Sequence, residues 1–550
     1  MGTYVIGIDF GTLSGRAVVV DTEDGSIKGE AVHDYAHGVM DRQLTAGDGR
    51  DLPPGFALQD SHDYIDVLAS VVPQAVTRSG VDPAQIVGLG IDATSATVVF
   101  CDAEGIPLSW KPEFANNPHA YVKLWKHHGA AAQAAKMLEV ARRRQEPWLE
   151  RYGSVISSEL LLPKAIETYE EAPSLFDQVG AVTDLLDWIT WQLTGQRFAA
   201  EGSRGFKSMF QDGSFPSPEY LNEVSPGFGD RYMKLVDAPV AHLGSSVGHL
   251  RASMARMMGL PADVVVAAGN IDAHVMVAAC NAVRPGQLTA IIGTSSCYIV
   301  NAHEFHPAPG IFGAVDGGTV AGLWGYESGQ TAVGDIFSWY VNNYVTGEDH
   351  DAAGAAGVSV NEWLTNKMKA DAPGASGLVA LDWFNGNRST LNDATLSGMI
   401  VGQTLATPSE DVYRALLEST AFGARAIIEN YVSHGIAVHD VVAGGGGLVD
   451  DAFYMQMFAD VLGMPVSVSA SRQSGALGAA IFGAVAAHVY PTLEAAANAM
   501  TTINQNAYLP DPERAAAYNE LYAIYQDLYE TFGHQKDVMH RLYALRTRNA

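Results

Sequence analysis

One pattern occurs twice in this chain and sets the limits on its fold. Val5-Ile6-Gly7-Ile8-Asp9-Phe10-Gly11-Thr12 is an apolar strand that runs into a Gly-Thr turn, and Thr289-Ala290-Ile291-Ile292-Gly293-Thr294-Ser295 repeats the theme in the other half. After the first turn, Arg16-Ala17-Val18-Val19-Val20-Asp21 reads as the return strand, and Asp24-Gly25 signals a turn into a third. Residues 297–300 play the same part after the second turn. Two hairpins of one kind suggest an internal duplication. The 550 residues exceed what a single hydrophobic core fills, so at least two domains are expected. We place the boundary between 283 and 284.

The rest of the pattern alternates strands and helices, which indicates an α/β protein. Residues 62–79 carry Tyr64, Leu68, Val71, Val72 and Ala75 at helical spacing, and residues 86–92 form a buried strand. Residues 110–260 are more helical and read as an elaboration that shapes a specificity pocket. Residues 346–377, rich in Gly, Ala and Asp, are expected to be partly loop. A helix over about 408–433 precedes the strand Val441-Val442-Ala443, which leads into four glycines, 444–447, and Asp450 is expected to open the next helix. A small-residue helix from Ser474 is expected to approach a ligand closely. The tail, 511–545, reads as a helix capped by Asp511 with Pro512 at its first position.

Bulk properties exclude several partners. The formal net charge of -28 argues against nucleic acid and against an anionic membrane. Three cysteines without metal-ligand spacing point to a reducing compartment, so a cytoplasmic location is expected. The most apolar long stretch, 264–283, is interrupted by Asn270, Asp272, His274 and Asn281, which rules it out as a membrane span.

Three groups of residues suggest chemistry. Gly11 and Thr12 offer backbone N–H groups to phosphate, while Asp9 could hold hydrated Mg²⁺ through water. Glycines 444–447 suit a backbone surface for an adenosine moiety, because four successive glycines cost entropy that a plain connector would not need. Asp272 follows the strand candidate 264–267 on a glycine-containing turn, where its carboxylate could take a proton from a bound hydroxyl. The same position would also suit a helix N-cap. Trp125, Lys207 and Glu327 say little individually.

Taken together the motifs resemble the FGGY carbohydrate kinases of the actin-like ATPase superfamily, over nearly the whole chain. The resemblance rests on Gly7-Ile8-Asp9-Phe10-Gly11-Thr12, Leu124-Trp125-Lys126, Leu396-Ser397-Gly398, Gly205-Phe206-Lys207-Ser208, Asp272-Ala273-His274, Gly325-Tyr326-Glu327-Ser328 and Trp383-Phe384-Asn385-Gly386-Asn387-Arg388. It implies two actin-like, ribonuclease H-like ATPase domains, 1–283 and 284–550, around a central cleft. It implies ATP and Mg²⁺ as cofactors and a ketopentose substrate, L-ribulose first and D-ribulose or a xylulose as the alternatives. By this resemblance Asp272 is the catalytic base. Trp125, Lys207, Asp272 and Glu327 contact the sugar, with Thr94 and Ser95 close by. Asp9, Gly11, Thr12, Gly293, Thr294, Gly445, Gly446 and Ala476 line the nucleotide, with Asp9 toward the metal. Leu448-Val449 stand where many members carry a basic or polar residue, so this loop is expected to contact nucleotide through backbone only. Assembly into a homo-oligomer is compatible with all of this. A nucleotide-switched binding or assembly protein on the same scaffold is the alternative of a different class. It would need neither base nor sugar pocket.

Overall fold

In the computed structural model, which describes residues 2–548, each hairpin lies at the centre of its own seven-stranded sheet. In the first sheet Tyr4–Phe10 pairs antiparallel with Ser14–Asp21, which pairs with Ile27–Asp34. On its other side Tyr4–Phe10 pairs parallel with Ile86–Ala93, which pairs parallel with Val265–Ala267. The second sheet repeats this order. Gln287–Ile292 pairs antiparallel with Ser296–Ala302, and that strand with Trp324–Gln330. Its other neighbour is the parallel strand Asp440–Gly445, followed by Val466–Ser469. The repeated topology is what the paired sequence pattern suggests. Parallel strands force crossover connections, and these are the helices on the sheet faces. Among the described residues no helix is long and apolar enough to cross a membrane.

Local signals fix several helices where the sequence predicts them. Asp60 caps Ser61–Ser79 by accepting from the His62 N–H, and Gly80 ends it in the left-handed conformation. Ser409–Ser433 is the long helix of the second half, and most of one face is buried. Asp511 caps Pro512–Glu530, and Tyr518, Leu521, Tyr522 and Tyr525 are buried in the second core.

Residues 346–377 are partly loop, as expected, around two helices, Gly347–Ala356 and Val360–Met368, capped by the Thr346 and Ser359 hydroxyls. The structure departs from the reading in three places. The helix expected to open at Asp450 is Ala452–Leu462, capped by Asp451, whose carboxylate accepts from the Phe453 and Tyr454 N–H groups. The tail is not one helix: Pro512–Glu530 ends in a wider turn, Thr531–Gln535, and Val538–Arg548 forms a separate helix. The third concerns Ser474–Ala486. Its small residues pack closely on a sheet. A Cβ on Gly7 would stand 1.8 Å from the Ala476 carbonyl oxygen, and one on Gly90 1.8 Å from that of Ala479. This helix of the second half therefore lies directly on the first sheet. It also packs on Asp272–Ala279, where a Cβ on Gly478 would stand 2.2 Å from the Val275 carbonyl oxygen.

Candidate active site

Each Gly-Thr turn is braced from behind. The Gly11 N–H donates to the Ser14 carbonyl at 3.0 Å, and the Tyr35 hydroxyl donates to the Gly11 carbonyl at 3.0 Å. Gln59 Nε2 donates to the Thr12 carbonyl at 2.7 Å. In the second turn the Gly293 N–H donates to the Ser295 carbonyl at 3.0 Å, while the Thr294 carbonyl accepts from the Val333 N–H at 2.8 Å. The Gly11 and Gly293 N–H groups are thus spent within their own turns, against the expectation that the Gly11 N–H meets phosphate, while the outer face of each turn stays free. Thr294 and Ser295 are exposed. A Cβ on Gly446 would come no nearer than 3.7 Å to its closest neighbour, the Gly293 Cα, and one on Gly447 would meet nothing. The glycine run therefore faces the second turn across open space. Gly445 is different: its φ of +121° is a glycine conformation, and a Cβ there would press on the Ile292 backbone at 3.0 Å. Gly445 shapes the loop, and Gly446 and Gly447 face outward.

Strand register brings the carboxyls together. Asp9 and Asp92 are register partners on neighbouring parallel strands, and Asn270, two residues before Asp272, is Asp92's partner on the other side. Among the described residues no nitrogen or hydroxyl donor reaches either oxygen of Asp92. Burial, reinforced by Asp9 and Asp272, raises its carboxyl well above the usual range. Asp9 is raised too, by burial, against the pull of Arg16, whose Nε lies 3.3 Å away. Asp272 begins the helix Asp272–Ala279, and its Oδ1 accepts from the Ala273 N–H at 2.7 Å. Burial first, and the Asp9 charge second, push Asp272 up to about 7, while the Ala273 hydrogen bond and Lys207 pull the other way. A carboxyl poised there can exchange a proton near neutral pH.

Beside it stands a buried charged set. Lys207, near the end of the helix Glu201–Ser208, donates to Glu327 Oε2 at 2.7 Å, and both side chains are buried. His274 Nε2 lies 3.1 Å from the same oxygen. Burial pushes Glu327 up, but Lys207, the His274 hydrogen bond and Arg388 outweigh it and hold the carboxylate ionised. Expected as two separate sugar ligands, Lys207 and Glu327 bond each other, and Lys207 keeps two further N–H groups. Trp125 Nε1 donates to Thr12 Oγ1 at 3.2 Å, so the indole joins the expected sugar side to the first phosphate turn. Thr94 is buried with its hydroxyl on Thr97 Oγ1 at 2.8 Å, and Ser95 is half-buried.

The structure thus gathers Asp9, Asp272, Lys207, Glu327, Trp125 and Thr12 around one region, and sets Gly293, Thr294 and Gly446 around another. Ala476 is in neither: it is fully buried in the core with Val5 and Val275. Its neighbour Gly475 is the closer one, since a Cβ there would stand 3.1 Å from Asp9 Oδ2. Sequence reasoning missed Asp92 and His274 as individual site residues. Asp92 had a signal, an aspartate ending an apolar strand as Asp9 does. His274 had none beyond its motif.

A triphosphate with a hydrated divalent cation fits these groups. Gly446 and Gly447 are open, and beside Asp9 no N–H or hydroxyl donor among the described residues reaches either oxygen of Asp92. Among the described residues no three side chains form a ready-made metal cage. A cation that takes ligands from substrate phosphates needs none.

Comparison with known proteins assigns the lineage. Residues 4–279 match the N-terminal domain of the FGGY family of carbohydrate kinases, and residues 288–487 match its C-terminal domain. The chain belongs to this family. It is a phosphotransferase acting on carbohydrate, with ATP as donor. It is 46% identical over 544 residues to the ribulokinase of Mycolicibacterium smegmatis, covering 99% of this chain and 96% of that one. It is 44% identical to the ribulokinase of Geobacillus thermodenitrificans (strain NG80-2), covering 98% and 96%. Among solved structures, the xylulose kinase from Rhodospirillum rubrum superposes with a TM-score of 0.77 at 22% identity, covering 98% of this chain and 100% of that one. The gluconate kinase from Lactobacillus acidophilus gives 0.80 at 16%, covering 97% and 99%. These two likenesses concern the fold, a two-domain α/β sugar kinase.

Proposed function

We propose that this FGGY kinase transfers the γ-phosphoryl group of ATP to the C5 hydroxyl of a ketopentose, L-ribulose in preference, giving L-ribulose 5-phosphate, and that Asp272 is the general base. The observation that carries the mechanism is the Asp272 carboxyl, held near pH 7 beside the Lys207–Glu327 pair and close to Asp9. The substrate assignment is supported by the ribulokinase names of the full-length relatives. In the reaction Asp272 accepts the hydroxyl proton, the sugar oxygen forms its bond to γ-phosphorus, and the bond to the bridging oxygen breaks to release ADP. Lys207 and Glu327 hold sugar hydroxyls, with Trp125 supplying an apolar wall and the segment around Thr94 and Ser95 adjoining it. Residues 1–283 supply the base and most of the sugar side. Residues 284–550 supply Glu327 and, through Gly293, Thr294 and residues 445–447, most of the nucleotide side. Gly11 and Thr12 complete the phosphate cradle. Mg²⁺, held near Asp9 through water, would neutralise phosphate charge. A nucleotide-switched assembly protein would not need the buried Lys207–Glu327–His274 set. Coupled ADP release across a panel of pentuloses and glycerol tests the proposal. ADP release should be fastest with L-ribulose, and sugar-independent turnover would count against the reading.

A further inference from the structure

We propose that Glu159 and Arg388 are positioning residues whose ion pair locks the two halves of the chain over the sugar. The inference rests on the sugar-kinase reading of the cleft. Arg388 Nη2 lies 2.6 Å from Glu159 Oε2, and the side chains are only 15% and 13% exposed. At that burial the pair is shielded from the water and salt that make exposed pairs nearly neutral in energy. The partners are 229 residues apart in sequence and belong to opposite halves.

The pair is one end of a connected path. The Arg388 guanidinium carbon lies 4.3 Å from the centre of the Phe312 ring, and Lys207 Nζ lies 4.1 Å from the same centre. Both cations are thus drawn to the one Phe312 ring. Lys207 then meets Glu327, and Glu327 meets His274. In order, Glu159, Arg388 with Phe312, Lys207, Glu327 and His274 alternate between the first and second halves. Opening the cleft must separate Glu159 from Arg388, strip one cation from Phe312 and part Lys207 from Glu327.

Both partners of the pair are anchored beside proposed sugar contacts. The Gly329 N–H donates to Ser389 Oγ at 3.2 Å, which holds the residue after Arg388 against the strand that carries Glu327. His128 Nδ1 lies 3.1 Å from Ser158 Oγ, which ties the residue before Glu159 to the segment after Trp125. Lys164, fully buried in Leu161–Glu171, donates to the Ala96 and Leu124 carbonyls, each at 2.8 Å. The stretch 158–164 therefore supports Trp125 and holds Arg388 at the same time. Wrong placement of this stretch would loosen the sugar and admit water, which competes for the phosphoryl group.

The test compares wild type, Glu159→Gln and Glu159→Asp. Sugar KM, kcat, ATP KM and the ratio of ATP consumed to sugar phosphate formed are measured. Glu159→Gln keeps shape at a partly exposed position and so should fold. We expect its sugar KM to rise about tenfold, the size of one lost charge-assisted contact. Its ATP consumed per sugar phosphate should rise clearly above the wild-type ratio, while ATP KM stays within about twofold. Glu159→Asp, which keeps the negative charge facing Arg388, should recover part of the loss. A merely structural role would lower the amount of folded enzyme and leave the coupling ratio alone. A folded Glu159→Gln with sugar KM and coupling ratio within about twofold of wild type overturns the inference. A wild-type enzyme that phosphorylates no pentulose overturns the kinase reading itself, which is a different result.

Discussion

Replacing Asp272 by Asn removes the proposed base and leaves its surroundings nearly intact. The amide oxygen can still accept from the Ala273 N–H, which the wild-type carboxylate meets at 2.7 Å, so the start of its helix should hold. Loss of a general base costs about 10²–10⁴ in kcat, and calorimetric sugar affinity should change little. The wild-type pH profile offers a second view. With a carboxyl at about 7, only about a tenth is ionised at pH 6 and about nine tenths at pH 8, so kcat/KM should climb roughly tenfold between them. Stability should move the other way. Burial raises the folded-state value above the unfolded one of about 3.9, so the fold favours the neutral carboxyl. The ionisation penalty is absent below about pH 4, grows as pH rises toward 7, and is complete above it. The Asp272→Asn variant carries no such penalty, so it should be the more stable protein at pH 8. The gain should be well under the ~4 kcal/mol of a fully desolvated group, because Asp272 keeps partial exposure. Steady-state kinetics from pH 5.5 to about 9, with urea unfolding at both ends, would read all three effects. Near wild-type kcat in a folded Asp272→Asn variant, or a flat profile through pH 7, would refute the reasoning.

Three further outcomes follow from the same geometry. Gly446→Val, in the open space facing Gly293, should raise ATP KM far more than sugar KM, whereas Gly445→Val should also lower stability because of its φ of +121°; nucleotide calorimetry and thermal melts separate the two. Glu327→Gln strands the buried Lys207 charge and should cost about 3–5 kcal/mol in urea unfolding, Lys207→Met leaves Glu327 with His274 and Arg388 and should cost less, and the double variant should cost less than their sum. Gly90→Ala places a Cβ 1.8 Å from the Ala479 carbonyl oxygen, so the helix Ser474–Ala486 must shift; stability should fall by about 1–3 kcal/mol or more, read by its denaturation midpoint.

Strands and capped helices were legible because their causes are local. The first hairpin, the helix from Ser61 and the Asp511 cap each follow from a few neighbouring residues. The helices Gly347–Ala356 and Val360–Met368 were legible in principle through their caps, Thr346 and Ser359; only the first carries the Gly, Ala and Asp content that masks its signal. What a helix touches is a long-range property. The small residues after Ser474 read equally well as a ligand-facing surface or a close-packed one, and only Gly7, Gly88 and Gly90 on the opposing strands decide it. Asp272 stood out by its turn and its motif, and the structure adds its buried surroundings. That Lys207 and Glu327 bond each other, and that Glu159 meets Arg388, depends on how the two halves meet, which no local spacing encodes.

The central claim is that this cleft moves phosphate to one sugar hydroxyl through Asp272. Phosphorus and carbon NMR of a reaction with ATP and L-ribulose tests it most directly. The predicted result is a single sugar phosphate, carried on C5, formed in step with ADP and lost together with turnover in Asp272→Asn. Inorganic phosphate in place of sugar phosphate, or phosphate on another carbon, would contradict it.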